Sequence, residues 1–172
     1  MNCGDKLRMN NVLGIGTDIV YIPRIIGLLK RHHVSGDYRK LKRVTNKFMT
    51  ITEQERFFNL LQKTDSIDSN KQLINYTAGV WATKESLLKA LSSYVVPEEL
   101  PPAQTIYSKL FTKTNSDSGI PNINIESDFP EACSAHRQFY KKYIKNQIKI
   151  DISISHDHDY LISFAVIKSK NG

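Results

Sequence analysis

One stretch constrains this chain more than any other: Val80-Trp81-Ala82-Thr83-Lys84-Glu85-Ser86-Leu87-Leu88-Lys89-Ala90-Leu91. Val80, Leu87, Leu91 and Tyr94 recur at helical spacing, which predicts a helix with one side on a core. Glu85 and Lys89 are four residues apart and share a helix face, whereas Lys84 points to a different side. From these residues alone, two readings stand. One is an exposed ion pair worth a few tenths of a kcal/mol; the other is an acid and a base held for chemistry. The helix is expected over about 75–94, and Pro97, Pro101 and Pro102 stop it and open a linker.

A chain of 172 residues suits one domain. With 40% hydrophobic and 24% charged residues, it can build a core and is not globally disordered. No apolar run is long enough to cross a bilayer. The net charge of +7 points to an acidic partner: nucleic acid, an anionic membrane, a phosphorylated small molecule or an acidic protein. Cys3 and Cys133 are too few and too far apart for a disulfide scaffold or a structural zinc site, so a reducing compartment is expected. The polar stretch 1–11 has no apolar region of the kind a secretory signal needs. It is short and carries Asp5 beside Lys6 and Arg8, so cytosolic and organellar addresses both stay open.

Residues 12–21 alternate as a strand, with Leu13, Ile15, Thr17 and Ile19 on one face and Val12, Gly14, Gly16, Asp18 and Val20 on the other. Two glycines within a strand mark the close approach of another backbone or a ligand. An acid beside them must be paired, bound to a metal, or used to cap the next helix. That helix is expected over 22–33, with Pro23 in its first turn and Ile22, Ile25, Ile26 and Leu29 inward. Arg24, Lys30, Arg31 and the run Arg39, Lys40, Lys42, Arg43 make a solvated face or a docking surface for an acidic protein. Thr52 and Glu55 read as a capping box, followed by a polar loop over 62–70. Residues 105–111 and 120–125 are expected to pair as a hairpin, and 127–146 to be helical with a basic face at Lys141, Lys142 and Lys145. The clearest hairpin is the last: Ile150, Ile152 and Ile154 alternate with Asp151, Ser153 and Ser155, a turn follows at 156–159, and 160–167 returns.

Polar groups thus leave apolar elements at three places: Asp18, the Glu85–Lys89 face, and Ser155-His156. Two carboxylates without cysteine or clustered histidine suit magnesium, and lysine and histidine suit phosphate oxygens, as in metal-assisted transfer at a pyrophosphate.

At this point the chain resembles the holo-acyl-carrier-protein synthase family of 4'-phosphopantetheinyl transferases. Four segments carry the resemblance: Gly14-Ile15-Gly16-Thr17-Asp18 and the residues through Ile25; 48–57, like the family's FT-x-x-E helix start; Trp81-Ala82-Thr83-Lys84-Glu85-Ser86-Leu87-Leu88-Lys89-Ala90; and Ile152-Ser153-Ile154-Ser155-His156. The resemblance implies a single α+β domain, a mainly antiparallel sheet against a long central helix. It implies transfer of phosphopantetheine from coenzyme A to a serine of an apo acyl carrier protein. Asp18 and Glu85 would bind magnesium; Glu85, Lys89 and His156 would act in catalysis; Lys84, Lys89, Ser155 and His156 would hold coenzyme A. Arg24 and Arg31 would dock the carrier, which accounts for the positive charge better than nucleic acid does. The site would form between subunits of a homotrimer, with Asp18 and His156 of one meeting Glu85 and Lys89 of its neighbour. The family's Gly-Thr-Gly after the helix is replaced by Ser92-Ser93-Tyr94. Extra length at 62–73 and 127–146 resembles fungal mitochondrial members. Rival classes are a nucleic-acid-binding module, a magnesium-dependent phosphohydrolase, and a non-catalytic carrier-binding scaffold.

Overall fold

The computed structural model describes residues 11–34, 37–63 and 66–170. The expected tail at 1–11, except its last residue, Cys3, and part of the expected insertion at 62–73 lie outside them. The chain opens with strand β1 (Val12–Tyr21) and helix α1 (Ile22–His32). Pro23 sits in the first turn of α1, while Lys30, Arg31 and His32 occupy the last turn, where the helix dipole favours positive charge. Ile22, Ile25 and Leu29 are buried. Helix α2 (Arg39–Thr45) follows, then α3 (Ile51–Leu61).

The capping box of α3 is two residues earlier than the sequence pattern suggested: Thr50 accepts from the Glu53 backbone, and Glu53 reaches back to the Thr50 N–H at 2.8 Å. Two overlapping Thr-x-x-Glu patterns compete here, and burial decides between them, since Glu53 is buried and Glu55 exposed.

Helix α4 (Lys71–Ser92) has 22 residues, roughly 33 Å at 1.5 Å per residue. Asn70 caps it by accepting from Leu73 N at 2.9 Å and donating to Leu60 O at 2.9 Å. Residues 71–73, expected within an insertion, are therefore the first turn of the central helix. Far from having one apolar side, α4 is buried on most of its circumference, including Val80, Ala82, Thr83, Lys84, Ser86, Leu87, Ala90 and Leu91.

The strand expected at 105–111 is instead helical: α5 (Ala103–Thr105) runs into a π-helical turn at Ile106–Leu110. Pro101 and Pro102 set up this start, and the Pro102 carbonyl accepts from Thr105 N and Ile106 N at 2.9 and 3.2 Å. Burial of Ile106, Tyr107 and Leu110 follows helical spacing and overrides the β-branched preference of Thr105 and Ile106. A hairpin is present but its first strand is displaced: β2 (Phe111–Asn115) shares only Phe111 with the expected 105–111 and pairs with β3 (Pro121–Ile125), with Gly119 at φ +83° in its turn. Residues 127–146 contain α6 (Phe129–Ala132), α7 (Arg137–Phe139) and a second π turn at Tyr140–Ile144. Phe129, Phe139, Tyr140, Tyr143 and Ile144 of this segment are buried, and Tyr143 meets Tyr94 edge-on at 5.4 Å.

Strands β4 (Ile148–Asp157) and β5 (Tyr160–Ser169) form the last hairpin. The main sheet is antiparallel in the order β1-β5-β4, so the first strand lies beside the last. Its register puts Gly14, Gly16, Asp18 and Val20 level with Ile167, Ala165, Ser163 and Leu161 on the face that meets α4. Ser86 of α4 and Ser163 share a buried hydrogen bond of 2.9 Å across this contact. The opposite face leaves Ile15, Ile19, Tyr21, Tyr160, Ile162 and Phe164 exposed. Among the described residues, no helix is long and apolar enough to cross a membrane.

Candidate functional site

The two glycines of β1 admit another backbone. A Cβ at Gly14 would lie 2.0 Å from the Ala90 carbonyl oxygen, and one at Gly16 would lie 2.0 Å from the Ser86 oxygen. This approach brings the last turns of α4 over β1. Lys89 Nζ lies 2.8 Å from Asp18 Oδ1 and donates to the Thr17 carbonyl at 2.9 Å. Asp18 does not cap α1, whose first turn has no side-chain cap. One turn before Lys89 on the same helix, the half-buried Glu85 shares a cavity of about 220 Å³ with Asp18, Arg24 and Trp81. Asp18, Glu85 and Lys89 therefore meet within one chain. This corrects the expectation that Asp18 meets the helix of a neighbouring subunit.

A larger cavity of about 1110 Å³ adjoins the first, with Arg24, Ile25 and Trp81 common to both. Its floor includes Ile25, Leu28, Val44 and Phe48, and its rim carries Arg31, Lys40, Arg43 and Lys47. Trp81 packs edge-on against Phe48 at 5.0 Å. Lys40 and Arg43 of the basic run on α2 thus face the same groove as Arg24 and Arg31 of α1, whereas Arg39 pairs with Asp37. Tyr107 also lines this groove. Burial, contact with the Glu85 carboxylate and the charge of Asp18 hold its phenol above the usual range, so it remains an O–H donor.

Lys84 corrects a second expectation. Its side chain is 1% exposed and paired with Glu53, also 1% exposed, at 2.8 Å. Its ammonium donates to the carbonyl oxygens of Tyr107, at 2.8 Å, and of Phe111. Burial lowers its pKa below the usual lysine range, while Glu53 opposes that shift. A side chain enclosed this way is spent on the fold and is not open to coenzyme A.

Ser155 and His156 are exposed at the end of β4 and point to opposite faces of the sheet. His156 is level with Leu161 and Val20 on the helix-facing side, two strands from β1, roughly 10 Å at ordinary strand spacing. Ser155 is level with Ile162 and Ile19 on the open face. Neither joins the Asp18, Glu85 and Lys89 group within one chain. The His156-to-Asp159 segment forms no metal cluster: among the described residues no three His, Cys, Asp or Glu side chains gather as ligands.

Asp18 and Glu85 offer only oxygen donors in a small cavity, which fits a hard divalent cation completing its shell with phosphate oxygens and water. Sequence reasoning missed Tyr107 and Glu53. Tyr107 fell within an expected strand, and a buried partner for Lys84 leaves no periodic trace; the Thr50-x-x-Glu53 spacing was the one available sign.

The 4'-phosphopantetheinyl transferase superfamily profile matches residues 14–165. The chain is 36% identical over 156 residues to the mitochondrial holo-acyl-carrier-protein synthase of Saccharomyces cerevisiae, covering 88% of this chain and 89% of that one. It is 29% identical over 160 residues to the holo-acyl-carrier-protein synthase of Ehrlichia canis, covering 93% and 97%. Among solved structures, the holo-acyl-carrier-protein synthase of Neisseria meningitidis aligns with a TM-score of 0.59 at 20% identity, covering 91% of this chain and 98% of its own. That of Bacillus anthracis, in complex with coenzyme A (3',5'-ADP), aligns with a TM-score of 0.57 at 18% identity, covering 92% and 97%. At these identities the structural likeness establishes the fold.

Proposed function

The chain belongs to the 4'-phosphopantetheinyl transferase superfamily, and we propose that it moves the 4'-phosphopantetheine group of coenzyme A onto a serine of an apo acyl carrier protein. The observation that carries this is the meeting of Asp18, Glu85 and Lys89 beside a basic, apolar-floored groove. The serine oxygen attacks the phosphorus that bears pantetheine. A new P–O bond forms, the bond to the bridging oxygen breaks, and adenosine 3',5'-bisphosphate leaves with the electron pair. Glu85, or a water on the metal, would accept the serine proton. Lys89 supplies positive charge to the phosphate oxygens as charge shifts to the leaving group. Asp18 and Glu85 would hold magnesium, which when bound neutralises charge on the pyrophosphate. Arg24 and Arg31, with Lys40, Arg43 and Lys47 on the rim, would receive the acidic carrier.

The open sheet face supports self-association. Ile19 is 64% and Phe164 42% exposed there, within a patch that also contains Ile15 and Ile162. A homotrimer built on this face would bring Ser155 of one copy toward the coenzyme site of the next, with His156 at the same strand end. The yeast relatives are named as mitochondrial enzymes, which supports a mitochondrial address for this chain.

The test is intact-mass spectrometry of an apo acyl carrier protein after incubation with this protein, coenzyme A and magnesium. A mass gain of one phosphopantetheine, lost with EDTA, is expected. No gain across several carriers, from a folded sample, would overturn the proposal.

A further inference from the structure

Lys89 reaches β1 because Gly16 leaves it room. A Cβ at Gly16 would lie 3.0 Å from the Lys89 Cβ, so the lysine stem crosses the strand where the strand carries no side chain. Its ammonium then divides between two acceptors on β1, the Thr17 carbonyl at 2.9 Å and Asp18 Oδ1 at 2.8 Å. An ammonium has three donors, so one is left over. The two partners differ in freedom. The Asp18 side chain is 15% exposed and held on the strand, whereas that of Lys89 is 50% exposed and can turn its tip outward.

The charges around Asp18 are already balanced by the protein. Asp18 and Glu85 line the small cavity with Arg24; Lys89 does not line it, and grips Asp18 from outside. Two carboxylates thus face two cations. A divalent cation held by Asp18 and Glu85 meets the Lys89 ammonium on the same carboxylate, well inside the roughly 8 Å over which physiological salt screens. It adds positive charge to a group that is neutral without it. The pyrophosphate of coenzyme A has the opposite effect. Its oxygens restore the balance, and they offer the ammonium charged acceptors in place of Asp18.

We propose that Lys89 couples the two ligands of the site: its ammonium competes with a divalent cation for Asp18, and coenzyme A ends that competition by drawing the ammonium onto its pyrophosphate. The inference rests on Asp18 and Glu85 holding the cation, as proposed above. Its consequence is that the cation alone binds weakly, that coenzyme A tightens it, and that one side chain carries much of this coupling.

The probe is manganese(II), followed by electron paramagnetic resonance without carrier, so that no turnover occurs. Manganese bound by coenzyme A alone is measured separately and subtracted. For wild type, saturating coenzyme A should tighten manganese binding by about 10-fold or more. Lys89→Met and Lys89→Gln are both neutral. Without coenzyme A, each should bind manganese about 10-fold more tightly than wild type, and each should gain correspondingly less when coenzyme A is added. Lys47→Met removes a positive charge from the rim of the larger groove, away from Asp18, and should bind manganese as wild type does. Equal or weaker manganese binding by both Lys89 variants, in folded samples and with binding abolished in Asp18→Asn, overturns the inference and leaves the metal site standing; Lys89 would then orient Asp18 rather than compete for it. Tightening of the same size in Lys47→Met also overturns it, because net charge alone would explain the effect. Wild-type manganese binding by Asp18→Asn overturns both the inference and the metal site.

Discussion

Gly16→Ala is a sharp perturbation of the packing: it removes no polar group, and besides helix backbone its methyl meets only the Lys89 Cβ, at 3.0 Å. The new methyl would sit 2.0 Å from the Ser86 carbonyl oxygen and 2.6 Å from the Ala90 nitrogen. Even a separation of 3.0 Å, below which real Cβ contacts essentially never fall, requires strand and helix to part by about 1.0 Å, that is 3.0 less 2.0. Both obstructing groups are helix backbone, so no side-chain rotation relieves the clash. Overpacking a tight core costs roughly 1–3 kcal/mol, and this case belongs at the upper end. At roughly 2–4 °C per kcal/mol for a chain of this size, the melting temperature should fall by about 6–12 °C. The same displacement pulls Lys89 away from Asp18, and about 1 Å of misplacement can cost on the order of 100-fold in rate. The assay is a thermal melt followed by carrier modification, measured well below the variant's melting temperature. A melt within 1 °C of wild type, by the order-of-magnitude argument for overpacking, together with normal transfer would refute the direct packing of α4 on the β1 backbone.

Lys84→Met alone leaves Glu53 buried without its cation, so a loss of about 3–5 kcal/mol is expected, readable as the midpoint of urea unfolding; an unchanged midpoint would mean that the pair is solvated. Ile19→Asp with Phe164→Asp places charge on the open sheet face, and sedimentation velocity should show monomers, with transfer lost if the site needs Ser155 or His156 of a neighbour. Glu99 is held below the usual carboxylate range by hydrogen bonds from Lys142 and from Tyr143. A depressed carboxylate stabilises the fold above its unfolded pKa and loses that contribution as pH falls through the folded value. The stability difference between wild type and Glu99→Gln should therefore shrink through the acid limb of a urea series, and a difference independent of pH would contradict the pairing.

The alternation in 12–21 and 150–167 was legible because a sheet with one face against a helix imposes a period of two on its side chains. Gly14 and Gly16 also announced a close neighbour correctly, though not that the neighbour would be Ser86 and Ala90 of the central helix. Patterning misled where two signals overlapped. Thr105 and Ile106 have strand preferences, but Pro101 and Pro102 start a helical turn just ahead of them. Thr52 and Glu55 match a capping box as well as Thr50 and Glu53 do, and only the buried need of Lys84 for a carboxylate separates them. Of the candidate site, Asp18 stood out as an acid in an apolar strand and Glu85 with Lys89 as a pair on one helix face, and the structure brings the three together. Lys84 was misassigned because a motif carries residue identity but not burial. Tyr107 left no sign, because its place in the groove comes from tertiary packing alone.

The central claim is that Asp18, Glu85 and Lys89 of one chain make the transferring site. The most direct measurement is the rate at which Glu85→Gln modifies an apo acyl carrier protein, at saturating coenzyme A and magnesium, in a sample whose melting temperature matches wild type. A fall on the order of 100-fold or more, as expected on losing a positioned acid–base group, is the predicted result. A rate equal to wild type would place the chemistry elsewhere and contradict the account.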